Sequence, residues 1–165
     1  MKIQIAGLSE GIHHYKFHVA SSELDLGEQF SGESEIDITL DKTPTQILLS
    51  SHIRTRARFE CDRCVAPFEA TLSPSYTMLY VHGGSESAHL ERDEFQILGA
   101  SHTVIDLKDD VRQTILLSVP LKLLCSDSCK GLCPTCGKNL NEGSCMCKEE
   151  RVDAHWEQLR QLRSN

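Results

Sequence analysis

Residues 125–147 of the chain read CSDSCKGLCPTCGKNLNEGSCMC and contain six of its eight cysteines. The other two, Cys61 and Cys64, lie much earlier in the chain. A segment this short and loop-rich cannot bury a hydrophobic core of its own, so its folding requires a metal or another cross-link. No apolar leader follows Met1, which predicts an unexported, cytoplasmic protein. Because structural disulfides are rare in that reducing compartment, the cysteines predict metal sites.

The cysteines form four pairs, which is enough for two tetrahedral sites with four sulfur ligands each. We favour a local site made by the last two pairs, because only eight residues separate Cys136 from Cys145. The first two pairs would then form a site that ties the C-terminal segment to the region around Cys61. Spacing alone leaves other pairings open, such as Cys61 and Cys64 with Cys133 and Cys136. In chain order the pairs are Cys61/Cys64, Cys125/Cys129, Cys133/Cys136 and Cys145/Cys147.

The stretch Cys133-Pro-Thr-Cys136-Gly137 has the pattern of a tight turn that supplies two sulfur ligands to one metal ion. Pro134 restricts the backbone at the start of the turn, and Gly137 permits a positive φ after it. The backbone N–H groups of such a turn can donate hydrogen bonds to the sulfurs. This turn is therefore the best-defined part of the predicted metal sites.

Zinc is the metal that this ligand set favours, and we expect two structural zinc ions per chain. A four-thiolate site has no open coordination position, which predicts a structural rather than a catalytic role. An iron–sulfur cluster is the alternative, because it also uses four thiolates. A thioredoxin-type redox pair at Cys61 and Cys64 would need a βαβ setting that the sequence does not supply. Since no catalytic motif is present, we expect a non-enzymatic protein without a small-molecule substrate.

Before Pro120 the dominant hydrophobic period is two, which predicts half-buried antiparallel strands. We therefore predict an α+β protein with an antiparallel, strand-rich body over residues 1–120 and a Cys-rich zinc module over residues 121–165. A helical turn is expected at 21–26 and a loop at 82–92. The strand segments are Ile3/Ile5, Tyr15/Phe17/Val19, Ile36/Ile38/Leu40 and the stretches from about 46 to 59 and from about 68 to 81.

Two helices are predicted, one in the body and one at the C-terminal end. The first is capped by Asp106 and stops at Pro120, with acidic residues in its first turn, where the helix dipole favours anions. Its inward stripe is Leu107, Val111, Ile115 and Val119. The second is an amphipathic helix from about 149 to 162, with one apolar face made by Val152, Trp156, Leu159 and Leu162.

The acidic charge balance excludes proteins whose whole surface binds nucleic acid. Seventeen Lys and Arg stand against twenty-four Asp and Glu, giving a formal charge of −7. A protein whose whole surface binds phosphates, such as a histone, would be strongly basic, so any nucleic-acid contact must be local. The longest apolar run is the four residues 78–81, which is too short to cross a membrane.

One local basic feature stands out, at Arg54, Arg56 and Arg58. In a strand these residues point to the same side, and they form a stripe that Arg63 continues between the first two cysteines. One interpretation is a solvated strand face balanced by nearby acidic residues. The other is an RNA-binding surface, because arginine suits bidentate contacts to phosphate.

The cysteine motifs resemble those of a bacterial and plastid family, the YceD or large ribosomal RNA subunit accumulation proteins. The resemblance rests on Arg58-Phe-Glu-Cys61-Asp-Arg-Cys64 and on Cys125-x3-Cys129-Lys-Gly-Leu-Cys133-Pro-x-Cys136-Gly-x-Asn139-Leu-Asn141-x3-Cys145-x-Cys147. It also extends to the Val119-Pro120-Leu121 stretch and, less distinctively, to the rest of the chain.

The resemblance implies a role in ribosome biogenesis, in which the protein supports accumulation or processing of large-subunit ribosomal RNA. The expected partners are the ribosomal RNA precursor, basic ribosomal proteins, or both. A basic ribosomal protein would fit the acidic residues 1–50, which carry eight acidic and three basic groups. Two alternatives stay open: a zinc-stabilised protein-interaction module outside ribosome assembly, and a thiol redox or zinc-handling protein.

Overall fold

Eight β-strands and one α-helix make up the regular structure of residues 1–82, 95–99 and 102–147, the part of the chain that the computed structural model describes. The strands are β1 (Lys2–Gln4), β2 (Gly11–Ala20), β3 (Glu33–Lys42), β4 (Gln46–Glu60), β5 (Pro67–Leu72), β6 (Ser75–His82), β7 (Phe95–Leu98) and β8 (Val104–Asp106). The helix is α1 (Lys108–Leu117). The predicted C-terminal helix at 149–162 and most of the predicted loop at 82–92 lie outside the described residues.

The chain divides into two compact units. The first unit consists of Met1–Phe59 and Pro67–Leu123, and it contains the sheets and the helix. The second consists of Glu60–Ala66 and Leu124–Asn165, and it contains all eight cysteines. The sequence predicted one boundary near Pro120, with the C-terminal module tied to the body through Cys61 and Cys64; in the structure the loop Glu60–Ala66, which carries both cysteines, groups with the C-terminal segment.

A six-stranded sheet dominates the first unit, in the order β2-β3-β4-β6-β7 with β5 also paired to β4. Neighbours from β2 to β6 run antiparallel, as predicted, whereas β7 runs parallel to β6. The expectation of a purely antiparallel body is therefore wrong at this edge. β1 and β8 form a separate antiparallel pair. β7 and β8 were not predicted, because strands of four and three residues are too short to show a period of two.

Burial along β4 follows the period of two over fifteen residues. The odd-numbered residues Ile47 to Phe59 face the core, and the even-numbered residues between them face outward. Two of the core positions are polar, Ser51 and Thr55, and the Thr55 hydroxyl accepts a hydrogen bond from the Ser34 hydroxyl at 2.9 Å. This alternation follows from the extended backbone, in which successive side chains point to opposite faces.

The segment predicted as a strand from about 68 to 81 divides at Pro74 into β5 and β6. Proline lacks an N–H for the sheet ladder, but the Pro74 carbonyl accepts a hydrogen bond from the Ile53 N–H at 2.9 Å. The helical turn expected at 21–26 is instead a series of tight turns, in which Asp25 takes a positive φ of 51°.

Helix α1 packs against the hydrophobic core of the first unit through Val111 and Ile115, which are fully buried. Asp106 stands just before the helix, and its Oδ1 accepts the Lys108 N–H at 3.1 Å. This hydrogen bond lowers the pKa of Asp106. Leu107 occupies the N-cap position itself, so the predicted capping residue acts from one position earlier. Within the described residues, no helix is long and apolar enough to span a lipid bilayer.

Candidate metal centres

The eight cysteine sulfurs form two separate groups of four within the second unit. The first cluster is Cys61, Cys64, Cys125 and Cys129, and the second cluster is Cys133, Cys136, Cys145 and Cys147. In each cluster the four sulfurs lie within 4.8 Å of one another. The structure thus groups the pairs in the favoured way and does not bring the Cys61/Cys64 pair to the Cys133/Cys136 pair.

The distances between sulfurs fit a tetrahedral metal site. Cys61 and Cys129 are 3.8 Å apart, Cys64 and Cys125 are 3.6 Å apart, and Cys133 and Cys145 are 3.4 Å apart. Four sulfurs at about 2.3 Å from a central zinc ion would be about 3.8 Å from each other. A disulfide would need about 2.05 Å, and all eight cysteines are free. Both clusters can therefore hold a metal ion.

The first pair of ligands lies on a tight turn between β4 and β5. The Cys61 N–H donates to the Ala66 carbonyl at 3.0 Å, and the Val65 N–H donates to the Cys61 carbonyl at 2.8 Å. These two bonds fold the loop back on itself, so that the sulfurs of Cys61 and Cys64 point to the same place.

The turn at Cys133 repeats this hydrogen-bond pattern. The Cys133 N–H donates to the Lys138 carbonyl at 2.8 Å, and the Gly137 N–H donates to the Cys133 carbonyl at 2.9 Å. The residue after the second cysteine has a positive φ in both turns, 71° at Gly137 and 58° at Val65. The sequence predicted this conformation at Gly137. It carried no signal at Val65, because a β-branched residue disfavours that region of the backbone map.

Backbone N–H groups stabilise one thiolate in each cluster. The Cys61 sulfur accepts hydrogen bonds from the N–H groups of Cys125 and Arg63, which lower its pKa to about 6. The Cys133 sulfur accepts them from Cys136 and Thr135, and its pKa is also lowered to about 6. A metal ligand must be deprotonated, so these two positions are prepared to bind a cation near neutral pH.

Two other sulfurs resist ionisation in the absence of a cation. Hydrogen bonds shared with the sulfurs of Cys129 and Cys64 raise the pKa of Cys125 to about 12. A corresponding contact with Cys136 raises the pKa of Cys147 to about 12. Four thiolates cannot all carry charge at this separation without a positive ion between them. The clusters therefore have the electrostatics of cation sites.

Three residues support the first cluster without belonging to it. The Asn141 amide Nδ2 donates to the Cys129 sulfur at 3.4 Å and lowers the pKa of that thiol. The Arg63 guanidinium donates to the Cys129 carbonyl at 2.9 Å. Gly131 has a φ of 76° and lies so close to the Arg63 carbonyl that an added Cβ would stand 3.0 Å from it. The roles of Asn141 and Gly131 were not predicted from the sequence, although both residues lie inside the cysteine motif.

The predicted RNA-binding residues fall in both units. Arg54, Arg56 and Arg58 alternate along β4 in the first unit, and all three side chains are exposed on the outer face. Within the described residues none of these three guanidiniums is in an ion pair. Arg63 belongs to the second unit, where its guanidinium is already engaged with the Cys129 carbonyl.

Acidic side chains accompany the arginines on this face. Glu35 lies directly opposite Arg54 in the register of β3 with β4. Glu33 and Glu69 line a groove together with Arg56. The sequence predicted acidic residues near the arginines, but it could not show that β3 pairs its acidic residues with this part of β4.

The chain is similar to known proteins of one family. The sequence profile described as "Large ribosomal RNA subunit accumulation protein YceD" matches residues 49–163. The chloroplastic "Large ribosomal RNA subunit accumulation protein YCED homolog 1" of Zea mays is 25% identical over 144 residues, 71% of this chain and 49% of that protein. Its Arabidopsis thaliana counterpart is 36% identical over 59 residues, 36% of this chain and 18% of that protein.

A bacterial relative covers more of the chain. An uncharacterised protein of Mycobacterium tuberculosis is 22% identical over 125 residues, 76% of this chain and 59% of that protein. The chain thus spans about half the length of the maize relative and 59% of the mycobacterial one. No solved structure is significantly similar to it. Because the family profile matches most of the chain and includes all eight cysteines, the chain belongs to the YceD family of large ribosomal RNA subunit accumulation proteins.

Proposed function

We propose that this protein is a non-enzymatic ribosome biogenesis factor that acts in the cytoplasm and supports accumulation of large-subunit ribosomal RNA. Membership of the YceD family carries this proposal, since the family and its plant members are named for that role. The proposed partner is the ribosomal RNA precursor, bound at the exposed face of β4. Sedimentation of the tagged full-length protein tests whether it associates with ribosomal precursors. The protein should co-sediment with large-subunit precursors, and recovery only in ribosome-free fractions would contradict the proposal.

The role proposed for the cysteine clusters is structural zinc binding. Two observations support zinc: each cluster offers four sulfurs at tetrahedral spacing, and none of the ligand positions is left for a substrate. Metal analysis of the purified protein should find two zinc ions per chain. Removal by a chelator should disorder the second unit, because a structural zinc ion contributes ~10 kcal/mol or more to folding in small zinc domains. Iron with visible absorbance, or a metal-free protein with unchanged folding, would refute this assignment.

The arginine face is the proposed site of RNA contact. Arg54, Arg56 and Arg58 present three exposed guanidiniums at two-residue spacing, and no ion pair within the described residues engages them. Replacing all three with glutamine should weaken binding to the precursor RNA. The slope of log affinity against log salt should also fall, by about one for each phosphate that the protein no longer neutralises. Lys16→Gln is a matched control, since Lys16 lies on β2 of the same sheet but its ammonium group is already paired with Asp37 at 3.0 Å.

A substitution at Glu35 distinguishes RNA binding at this face from the binding of a basic ribosomal protein there. Glu35 lies opposite Arg54 and lowers the positive potential that RNA would meet. If RNA binds here, Glu35→Gln should strengthen binding, because a repulsive charge is removed. If a basic protein binds here, the same substitution should weaken its binding. Weaker RNA binding by the Glu35→Gln protein would therefore contradict an RNA interface on β4.

A further inference from the structure

The two cysteine clusters are joined by a very short linker. Cys129 is the last ligand of the first cluster and Cys133 is the first ligand of the second, so only residues 130–132 separate them. The loop inside the second cluster, residues 137–144, returns to this linker. The Leu140 N–H donates to the Gly131 carbonyl at 2.9 Å, and Leu132 forms a β-bridge with Asn139. The loop of one cluster is thus paired with the chain that leads out of the other.

Asn141 lies in this loop, and its side chain reaches the first cluster. Its Nδ2 donates to the Cys129 sulfur at 3.4 Å, and its Oδ1 accepts the Lys130 N–H at 2.8 Å. The Asn139 Oδ1 accepts hydrogen bonds from both the Asn141 Nδ2, at 2.8 Å, and the Asn141 N–H, at 3.0 Å. Both ends of the Asn141 amide are therefore engaged, and this fixes which end faces the sulfur. A flipped amide would place an oxygen against a thiolate.

Closure of the second cluster by a metal ion would constrain the loop that carries Asn141. The loop that carries it starts after Cys136 and ends before Cys145, and a metal ion bound by both would hold the two ends together. Without that ion, only hydrogen bonds keep the loop closed, and most of its residues are exposed. In the open loop the Asn141 Nδ2 would form its hydrogen bond to the Cys129 sulfur in only a fraction of the molecules.

We propose that Asn141 is a positioning residue that couples the two metal sites, so that metal binding at the second cluster raises the affinity of the first. The inference rests on the metal binding proposed above. Hydrogen bonds from groups around a metal site orient its ligands, and their loss commonly lowers metal affinity by ~10–100-fold. By thermodynamic linkage, metal at the first cluster must raise the affinity of the second by the same factor.

The ligands of the two clusters differ in solvent exposure, which predicts the order in which the clusters lose metal to a chelator. Three ligands of the first cluster are buried, Cys61, Cys64 and Cys129. In the second cluster Cys136 and Cys147 are exposed. A chelator therefore reaches the second cluster more easily, and its metal should leave first. Loss of that metal then weakens the first site, although the sulfurs of the first site are shielded.

Cadmium titration of the full-length protein tests the coupling. Cadmium NMR gives a separate resonance for each four-thiolate site, and Cys61→Ser assigns the first. Asn141→Ala should shift the first-site resonance, because a hydrogen bond to sulfur is removed, and should lower first-site affinity in chelator competition by ~10–100-fold. Ser144→Ala, in the same loop, is the matched control and should change neither quantity, since no hydrogen bond of its exposed side chain is found within the described residues.

A double-mutant cycle separates coupling from simple destabilisation. Replacing Cys145 and Cys147 with serine should lower first-site affinity by a factor similar to that of Asn141→Ala, and the combined variant should lose at most about threefold more. Fully additive losses, or first-site affinity of Asn141→Ala within about twofold of wild type, would overturn the coupling.

A second substitution at Asn141 keeps the test valid if Asn141→Ala disorders the loop. Asn141→Asp retains an oxygen for the Lys130 N–H but has no donor for the Cys129 sulfur. It should therefore weaken the first site and leave the second site occupied, and wild-type affinity at the first site would overturn the coupling. A protein that binds no metal at either cluster would refute the proposed metal sites as well, whereas two metal ions with no effect of Asn141 variants would refute only the coupling.

Discussion

Two glycines of the second unit allow backbone strain to be separated from a steric clash. Gly131 and Gly137 both have a positive φ, 76° and 71°. A Cβ added at Gly137 would meet nothing within 4 Å, whereas one added at Gly131 would stand 3.0 Å from the Arg63 carbonyl oxygen. Replacing each glycine with alanine therefore imposes the same backbone strain, and only Gly131→Ala adds a steric clash.

The expected magnitudes follow from these two terms. The left-handed backbone costs an alanine roughly 1–2 kcal/mol, and the stiffer unfolded chain offsets about 0.4–1 kcal/mol of that cost. Gly137→Ala should thus destabilise its turn by about 1 kcal/mol. At Gly131 the Arg63 carbonyl must move, which weakens the hydrogen bond that it accepts from the Leu132 N–H at 3.1 Å. That bond adds about 1 kcal/mol, for a total of about 2 kcal/mol.

Metal affinity is the assay, because folding of this unit and metal binding are coupled. Gly137→Ala should weaken the second site by about fivefold, and Gly131→Ala should weaken the first site by about thirtyfold. Gly7→Ala is the control: Gly7 has a φ of 77° with open space around it, but it lies in the other unit. Equal losses for Gly131 and Gly137, or wild-type affinity at the first site after Gly131→Ala, would refute this reasoning.

Three further predictions concern Val65, Leu49 and the tyrosine pair Tyr76 and Tyr80. Val65→Gly should raise first-site metal affinity by about two- to fivefold in chelator competition, because it relieves a β-branched residue at a φ of 58°; a lower affinity would contradict this. Leu49→Ala should lower the free energy of unfolding by about 2–5 kcal/mol in urea denaturation, since Leu49 is 0% exposed, while the neighbouring Leu48, 41% exposed, should tolerate alanine with much less loss. Burial raises the pKa of Tyr76 and Tyr80 above that of an unfolded phenol, which ionises near pH 10. Stability should therefore be complete below about pH 10 and fall above it, and the double phenylalanine variant should show a flatter alkaline limb.

Local patterns in the sequence predicted much of the fold. The period of two placed β2, β3 and β4, because one face of each strand must be apolar wherever a sheet covers a core. The helix before Pro120 was predicted from its acidic first turn and its apolar stripe, and both are present. The parallel strand β7 was missed, because its partner β6 is chosen by the path of the chain and not by its own four residues.

The cysteine pattern predicted two four-sulfur metal sites, since paired thiolates at these spacings suit few other structures. It could not determine which pairs meet, because the two halves of the first cluster are separated by the intervening strands and helix. Tertiary structure alone decided that grouping, the hydrogen bond from Asn141 to the Cys129 sulfur and the acidic neighbours of the β4 arginines. It also decided the positive φ of Val65, where hydrogen bonds of the turn override the preference of a β-branched residue. Contacts within a few residues are encoded by spacing and residue type, whereas contacts between distant segments depend on how the whole chain packs.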